Sequence, residues 1–480
     1  MSDVAATDIP ELCAKSAIEQ RALIVTRQVS CLELLEAHLR WIDTVNPRIN
    51  ALCTLAADQA LARARALDAE LAAGAAPGPL SGLPAAIKDL ADTAGIRTTH
   101  GSPLFASHVP KQDAVHVARM RAAGAVIVGK SNTPEWGAGS QTFNTLFGAT
   151  ATPYDLEKTA GGSSGGSAAA LAARMLPVAD GSDLGGSLRN PAAFCNVIGF
   201  RPSPGRVPAR ERLLGWNALP VLGPMGRTVA DTALLLSVMA GFDSRDPLSR
   251  TDDPAVFATD LTSDPAGLRI AWSEDLGFLP VAPAVREVFR SARRFFDDLG
   301  CRVETAHPDL RDAPAIFQTL RAHGFAASFG SFLEEHPDKL KDTVRWNTAL
   351  GLSLSAREVA RAEAGHLAVY RRMLDFFERY DFLVLPSAQV LPFPKTVEWI
   401  REIEGVAFEN YLQWMEICGV ITLTGTPVAA MPCGFSAEGL PVGLQIVGPP
   451  GADLAVLKLA RAFEQAAPFA ATAPSLQRSQ

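Results

Sequence analysis

Residues 161–191 read GGSSGGSAAALAARMLPVADGSDLGGSLRNP and place two glycine-serine clusters close together in the chain. The first cluster carries Ser163, the second carries Ser187, and a lone lysine, Lys88, lies upstream in the apolar run LPAAIKDL. A serine hydroxyl becomes a good nucleophile only when a neighbouring base removes its proton. The clusters and the stretch between them hold no histidine, so the pattern favours a lysine as that base.

The glycines before the second serine are typical of an oxyanion hole. Glycine lets the backbone turn its N–H groups towards a ligand that approaches closely. We therefore expect the N–H groups of Leu184, Gly185, Gly186 and Ser187 to converge on the carbonyl oxygen of a substrate. Losing one such donor typically costs on the order of 100-fold in rate.

Lys88 must be neutral to accept a proton, and its apolar neighbours predict the burial that lowers a lysine pKa. The adjacent carboxylate of Asp89 would favour the charged lysine if both side chains pointed the same way. A strand over Leu83–Leu90 places successive side chains on opposite faces, which separates the two groups. A lone lysine in such a run is more often an edge residue whose ammonium reaches water. Its combination with the two clusters favours catalysis instead.

The order of these motifs resembles the amidase signature family of serine hydrolases. The resemblance rests on GGSSGG, a following helix of small residues, and GSDLGGSLRNP, and it extends over most of the chain. Further matching segments are SGLPAAIKD (Ser81–Asp89), GKSNTPEWG (Gly129–Gly137), FGAT (Phe147–Thr150), IGFRPSPGRV (Ile198–Val207) and GLPVGLQIVG (Gly439–Gly448).

The resemblance implies an activity and a set of roles. Ser187 would be the nucleophile, Ser163 a bridging serine at a cis peptide bond, and Lys88 the base, with no metal and no cofactor. Gly137 and Ala138 match positions that border the substrate in relatives. The resemblance also implies a single α/β domain with a central mixed β-sheet covered by helices on both faces, and relatives are often homodimers.

Composition narrows the expected partners and location. The chain has 480 residues, a net charge of −7 and no block of Lys and Arg, which argues against nucleic acid as a partner. The seven cysteines are scattered without a C-x-x-C pair, and the first residues lack an apolar signal region. Apolar stretches such as Ala233–Phe242 are too short to cross a bilayer. We expect a cytoplasmic protein that needs no membrane.

Hydrophobic spacing gives a coarse division of the single domain over residues 1–480. An N-terminal segment of about residues 1–75 is predicted to be helical, with Ser30 capping a helix. A signature core of about residues 80–245 alternates short apolar strands with helices, which favours an α/β fold. The region of about residues 305–420, rich in charged and aromatic residues, is predicted to be helical apart from a strand at Phe382–Pro386 and to face the substrate.

Two motifs suggest other chemistry. Gly124–Ser131, GAVIVGKS, fits the P-loop pattern, but its middle residues favour a strand and a proline follows where a helix should begin. Gly162–Gly166, GSSGG, fits the nucleophile elbow of α/β-hydrolases with Ser164 as nucleophile. That interpretation would need a downstream histidine, and candidates are His307, His323, His336 and His366.

The sequence thus predicts a hydrolase of carbon-nitrogen bonds in carboxylic amides, acting on a small-molecule amide or carbamate. Aryl amides, urethanes and esters are included among the expected substrates, and the aromatic 305–420 region favours an apolar or aromatic one. A glutaminase-type subunit of a tRNA-dependent amidotransferase is the main alternative, although the YDG segment of those subunits is missing. A non-catalytic scaffold is disfavoured because all three catalytic residue types are present.

Overall fold

The structure, a computed structural model, describes residues 9–210 and 213–475. The α-helices are α1 (Glu11–Ala14), α2 (Ala17–Val25), α3 (Cys31–Ile49), α4 (Ala57–Ala72), α5 (Val115–Ala122), α6 (Gly165–Ala172), α7 (Arg189–Phe194), α8 (Val229–Met239), α9 (Pro283–Asp298), α10 (Ala313–Glu335), α11 (Asp342–Ser353), α12 (Ala356–Phe377), α13 (Glu416–Thr422) and α14 (Asp453–Ala466). The strands are β1 (Leu52–Leu55), β2 (Pro84–Lys88), β3 (Val126–Ser131), β4 (Phe143–Asn144), β5 (Gly148–Ala149), β6 (Ala151–Thr152), β7 (Asp155–Thr159), β8 (Val178–Asp183), β9 (Ile198–Arg201), β10 (Val221–Gly226), β11 (Arg269–Trp272), β12 (Arg302–Thr305), β13 (Phe382–Pro386), β14 (Glu402–Ile403), β15 (Val406–Ala407), β16 (Val428–Phe435) and β17 (Pro441–Val447).

An eleven-stranded sheet forms the centre of the molecule, in the order β1-β3-β2-β8-β10-β9-β16-β17-β13-β11-β12. Strands β2, β3 and β8 run parallel to one another, as do β11, β12 and β13, whereas β9, β10, β16 and β17 are joined by antiparallel pairing. Helices such as α6, α8, α9 and α14 pack against these strands. The α/β class with a mixed central sheet flanked by helices is confirmed.

Local signals explain much of this arrangement. Ser30 caps α3 in a reciprocal capping box with Glu33, as the sequence predicts. The N-terminal segment is not wholly helical, because β1 separates α3 from α4 and pairs with β3. Strand β8 begins at Val178, directly after Pro177.

Two further expectations concern sulfur and membranes. All seven cysteines are free thiols, and six of them are buried. Burial raises the pKa of Cys195 to about 12, which fits a core residue and not a second nucleophile. Among the described residues, none of the helices combines the length and apolarity that a bilayer crossing requires.

Candidate active site

Lys88 ends strand β2, which lies inside the sheet between β3 and β8. Its side chain is only 1% exposed, so it is not the edge residue that an isolated lysine would suggest. The Nζ atom lies 2.8 Å from Oγ of Ser163, 2.9 Å from Oγ of Ser164 and 3.0 Å from Oγ of Ser182. A neutral amine has two N–H groups and one lone pair, so one of the three hydroxyls would then donate to it.

The burial of Lys88 favours its neutral form. Burial lowers the pKa of Lys88 to about 7, although the negative charges of Asp180 and Asp183 act in the opposite direction. Asp89 points away, because its carboxylate accepts the N–H and Oγ–H of Thr99. Strand β2 covers Pro84–Lys88 and is therefore shorter than the predicted Leu83–Leu90. Asp89 lies just beyond its end, and the contacts with Thr99 keep its carboxylate away from the ammonium.

The two key serines come from adjacent loops. The Gly162–Ser163 peptide bond is cis, as the family resemblance implies. The N–H of Ser164 donates to the carbonyl oxygen of Ser187 at 3.1 Å, which ties the first cluster to the second. The structure thus brings the hydroxyl of Ser163 to Lys88. Ser187 is half-buried, and within the described ranges no hydrogen bond joins its hydroxyl to that of Ser163.

The predicted oxyanion hole needs one correction. The N–H of Gly186 donates to Oδ1 of Asp183 at 3.0 Å, so this amide is directed at a buried carboxylate and not at a substrate. The N–H groups of Leu184, Gly185 and Ser187 have no acceptor among the described residues. The φ angle of Gly186 is +111°, which favours glycine, and three of the four predicted donors remain available.

A buried ion cluster fixes the loop that holds these amides. Asp183 is bound by Arg189 through two contacts of 2.9 and 3.0 Å, and by Nη1 of Arg201 at 3.3 Å. Burial alone would raise the pKa of Asp183, but the charges of Arg189 and Arg201 outweigh burial and hold it well below the ordinary value. The buried pair of Asp183 and Arg189 gives the loop a rigid base.

Two cavities meet near these residues. The larger has a volume of about 610 Å³ and is lined by Lys88 and Ser182 on one side. The smaller has a volume of about 200 Å³, and Leu184 is among the residues that line it. Trp136 and Phe329 line both cavities, which are therefore neighbours.

Gly137 and Ala138 lie beside this site but play different parts. A Cβ atom built on Gly137 would stand 3.2 Å from Oγ of Ser163, so Gly137 borders Ser163. Ala138 is fully buried, and its carbonyl oxygen accepts a hydrogen bond from Nζ of Lys341 at 3.2 Å. Ala138 belongs to a small buried apolar cluster with Phe325, Leu340 and Val344, and it is not among the residues that line the two cavities.

Comparisons with known proteins agree with this geometry. The sequence profile of the Amidase family matches residues 33–457. The chain belongs to the amidase signature family. An acylamidase of Rhodococcus erythropolis is 35% identical over 466 residues, covering 96% of this chain and 97% of that protein. A glutamyl-tRNA(Gln) amidotransferase subunit of Chloroflexus aurantiacus is 36% identical over 470 residues, covering 93% of this chain and 95% of that protein.

Solved structures place this amidase among hydrolases. A bacterial aryl acylamidase of the same family superposes with a TM-score of 0.90 at 30% identity, covering 96% of this chain and 99% of the other. A 6-aminohexanoate cyclic dimer hydrolase superposes with a TM-score of 0.86 at 28% identity, covering 98% of this chain and 100% of the other. The protein is therefore a hydrolase of the amidase signature type that acts on amides.

The two competing motifs have structural explanations in this amidase. The P-loop-like segment contains β3, and its Lys130 is fully buried and bonds Oγ1 of Thr93 at 2.7 Å. Ser164 bonds Lys88 and the backbone of Ser182, and none of its described hydrogen bonds involves a histidine. Neither segment has the surroundings that nucleotide binding or a nucleophile elbow would need.

Sequence reasoning missed a second layer behind Lys88. Oδ1 of Asp180 accepts the backbone N–H of Lys88 at 2.6 Å, and Oδ2 lies 2.9 Å from Nε2 of the buried His116. Ser182, the third hydroxyl on Lys88, lies two residues further along β8. The period of two in a strand puts Asp180 and Ser182 on one face, and this spacing was the signal that could have found them.

Proposed function

We propose that this amidase hydrolyses its substrate through an acyl-enzyme on Ser187, with Ser163 and Lys88 as the proton relay. Oγ of Ser187 attacks the carbonyl carbon while its proton passes to Oγ of Ser163, whose own proton passes to Nζ of Lys88. The N–H groups of Leu184 and Gly185 and that of Ser187 would stabilise the oxyanion. The observation that carries this proposal is the buried contact of 2.8 Å between Lys88 and Ser163.

The same relay completes the cycle. When the tetrahedral intermediate collapses, the carbon-nitrogen bond breaks and the proton returns from Lys88 through Ser163 to the leaving nitrogen. Water then attacks the ester on Ser187 and gives its proton to the relay, and the acid leaves as Ser187 recovers a proton. A lysine with a pKa of about 7 suits both directions, because a group that titrates near the working pH both accepts and donates protons readily.

The leaving group belongs in the larger cavity, because Lys88 and Ser182 line it and the leaving nitrogen must receive the proton of the relay. Its remaining walls are rich in aromatic rings: His100, Phe105, His108, Trp136, Phe329 and Phe332. Rings of this kind stack edge-to-face or offset on another aromatic group. We therefore propose aryl amines as leaving groups, in amides or carbamates, and the likeness to an aryl acylamidase supports this choice.

A tRNA-dependent amidotransferase component remains the second candidate, since the Chloroflexus aurantiacus protein of that kind is 36% identical to this chain. The aromatic cavity favours the stand-alone hydrolase, because a glutaminase releases ammonia and needs no apolar space for a leaving group. A stand-alone hydrolase would turn over an anilide without any partner protein. A glutaminase component would instead release ammonia from glutamine and leave the anilide intact.

The test is a substrate panel of an alkyl anilide, an O-alkyl N-phenyl carbamate, an aryl ester and glutamine. Wild type should cleave the anilide, and Ser187→Ala should lose this activity, whereas the exposed control Lys111→Ala should keep it. Lys88→Ala should lose the anilide activity about 100- to 10,000-fold and the aryl ester activity less, since a phenolate leaves without a proton. Near-full anilide turnover by Lys88→Ala would refute the relay.

A further inference from the structure

Arg321 of helix α10 is a buried cation without an anionic partner among the described residues. Its side chain lines the smaller cavity and the residue is only 5% exposed. One nitrogen, Nη2, donates to the hydroxyl of Tyr411 at 2.9 Å. The buried Nε has no hydrogen-bond partner, and no carboxylate in the described part of the chain lies within ion-pair distance of Arg321.

Such an arrangement is costly for a resting protein. A guanidinium stays protonated in proteins, so Arg321 cannot escape the cost of burial by losing its charge. A buried donor without an acceptor forfeits about 1–3 kcal/mol, and more when it is charged. A buried guanidinium with an unpaired N–H is therefore suited to bind a hydrogen-bond acceptor of a ligand that enters the cavity.

The neighbours of Arg321 hold the guanidinium in a fixed position. The Cζ atom of the guanidinium lies over the ring of Phe325, 4.4 Å from its centroid. The same atom lies 5.8 Å from the centroid of the Tyr411 ring. The Tyr411 hydroxyl is itself fixed by Nδ2 of Asn347 at 2.7 Å. A positioned guanidinium with free N–H groups matches the two oxygens of a carboxylate better than any neutral group.

We infer that Arg321 binds a carboxylate on the acyl portion of the substrate. The smaller cavity is lined by Leu184, a proposed donor to the oxyanion, whereas Lys88 and Ser182 line the cavity for the leaving amine. The acyl chain therefore extends from Ser187 towards Arg321. The preferred substrates are monoamides of dicarboxylic acids, a class narrower than the apolar substrates expected from composition. This inference rests on the proposed function.

The experiment compares matched pairs of anilides. The first pair is 4-anilino-4-oxobutanoate and its neutral isostere 4-methylpentananilide, and the second pair has one more methylene in each acyl chain. For at least one pair, kcat/KM of the wild type should favour the carboxylate by about 10- to 100-fold, as one charge-assisted contact provides. Arg321→Gln should abolish this preference mainly through KM, with the neutral anilide changed less than about three-fold.

Further variants separate charge from packing. Arg321→Lys should keep part of the preference, because it retains the charge but not the planar fork. The exposed control Arg294→Gln should behave as the wild type. The wild-type ratio is decisive even if Arg321→Gln fails to fold, and a wild type that favours the neutral anilides of both pairs would overturn the assignment. Equal losses for charged and neutral anilides in Arg321→Gln would do the same.

The controls also separate this inference from the proposed function. If the neutral anilides are cleaved in a Ser187-dependent manner without any preference for a carboxylate, only the role of Arg321 is wrong. If wild type cleaves no anilide, or if Ser187→Ala cleaves as well as wild type, the proposed hydrolytic function itself fails.

Discussion

Replacing Lys88 by methionine should remove catalysis and at the same time stabilise the fold at neutral pH. Burial lowers the pKa of Lys88 from 10.5 to about 7, which corresponds to about 5 kcal/mol against the charged form. At pH 7 the burial of Lys88 still lowers the stability of the folded wild type by about 4 kcal/mol, because the lysine is charged in the unfolded chain and its charged form is disfavoured in the fold. Losing the three hydroxyl contacts costs about 1 kcal/mol each, so Lys88→Met should be about 1 kcal/mol more stable than wild type.

The difference should change sign as the pH rises. The folded pKa of Lys88 lies below its unfolded value, so the unfolded wild type binds more protons between pH 7 and 10.5 and wild-type stability increases across that window. At pH 9.5 only about 1 kcal/mol of the burial cost remains. Lys88→Met should then be about 2 kcal/mol less stable than wild type, measured as the free energy of unfolding in urea at both pH values.

The control is Lys111→Met, which alters an exposed lysine and should show no comparable pH-dependent difference. A contrary result would be a Lys88→Met variant that is less stable than wild type by the same amount at pH 7 and pH 9.5. Lys88 would then be charged in the folded protein, and its role as a base at neutral pH would be untenable.

Three further predictions follow from the same contacts. For wild type, kcat/KM for an anilide should level off above pH 7 and fall about ten-fold per pH unit below it, because Lys88, with its pKa of about 7, becomes protonated; a flat profile from pH 5 to 8 would argue against a lysine base. Arg189→Ala leaves the buried Asp183 without its main partner and should lower the free energy of unfolding in urea by about 3–5 kcal/mol. A value within about 1 kcal/mol of wild type would show that the ion cluster does not support the loop. Gly137→Ala places a methyl group 3.2 Å from Oγ of Ser163 at a φ of +69° and should lower kcat about 100-fold. The control is Gly139→Ala, which also lies at a positive φ but has no atom closer than 3.7 Å to its Cβ; it should lower kcat much less.

The sequence was most informative where chemistry and spacing act together. The order of Lys88, Ser163 and Ser187 within their motifs predicted one catalytic centre, and the structure confirms the approach of Lys88 to Ser163. Hydrophobic runs likewise predicted strands such as Phe382–Pro386 at their observed limits. These features depend on local residue patterns, which a single sequence displays directly.

Features that depend on distant contacts were not predictable in the same way. The N–H of Gly186 turns towards Asp183 because Arg189 and Arg201 hold that carboxylate beneath the loop. Nothing in the sequence GSDLGGSLR shows which N–H groups remain free. Likewise, Arg321 became a candidate only when the cavity showed a buried guanidinium without a carboxylate partner among the described residues.

The most direct test of the central claim is covalent labelling with a small fluorophosphonate, followed by peptide mapping by mass spectrometry. A single adduct on Ser187 that disappears in Ser187→Ala is the predicted result, because only an activated serine displaces the fluoride. An adduct on Ser164 that persists in Ser187→Ala would contradict the account and would move the nucleophile to the neighbouring loop.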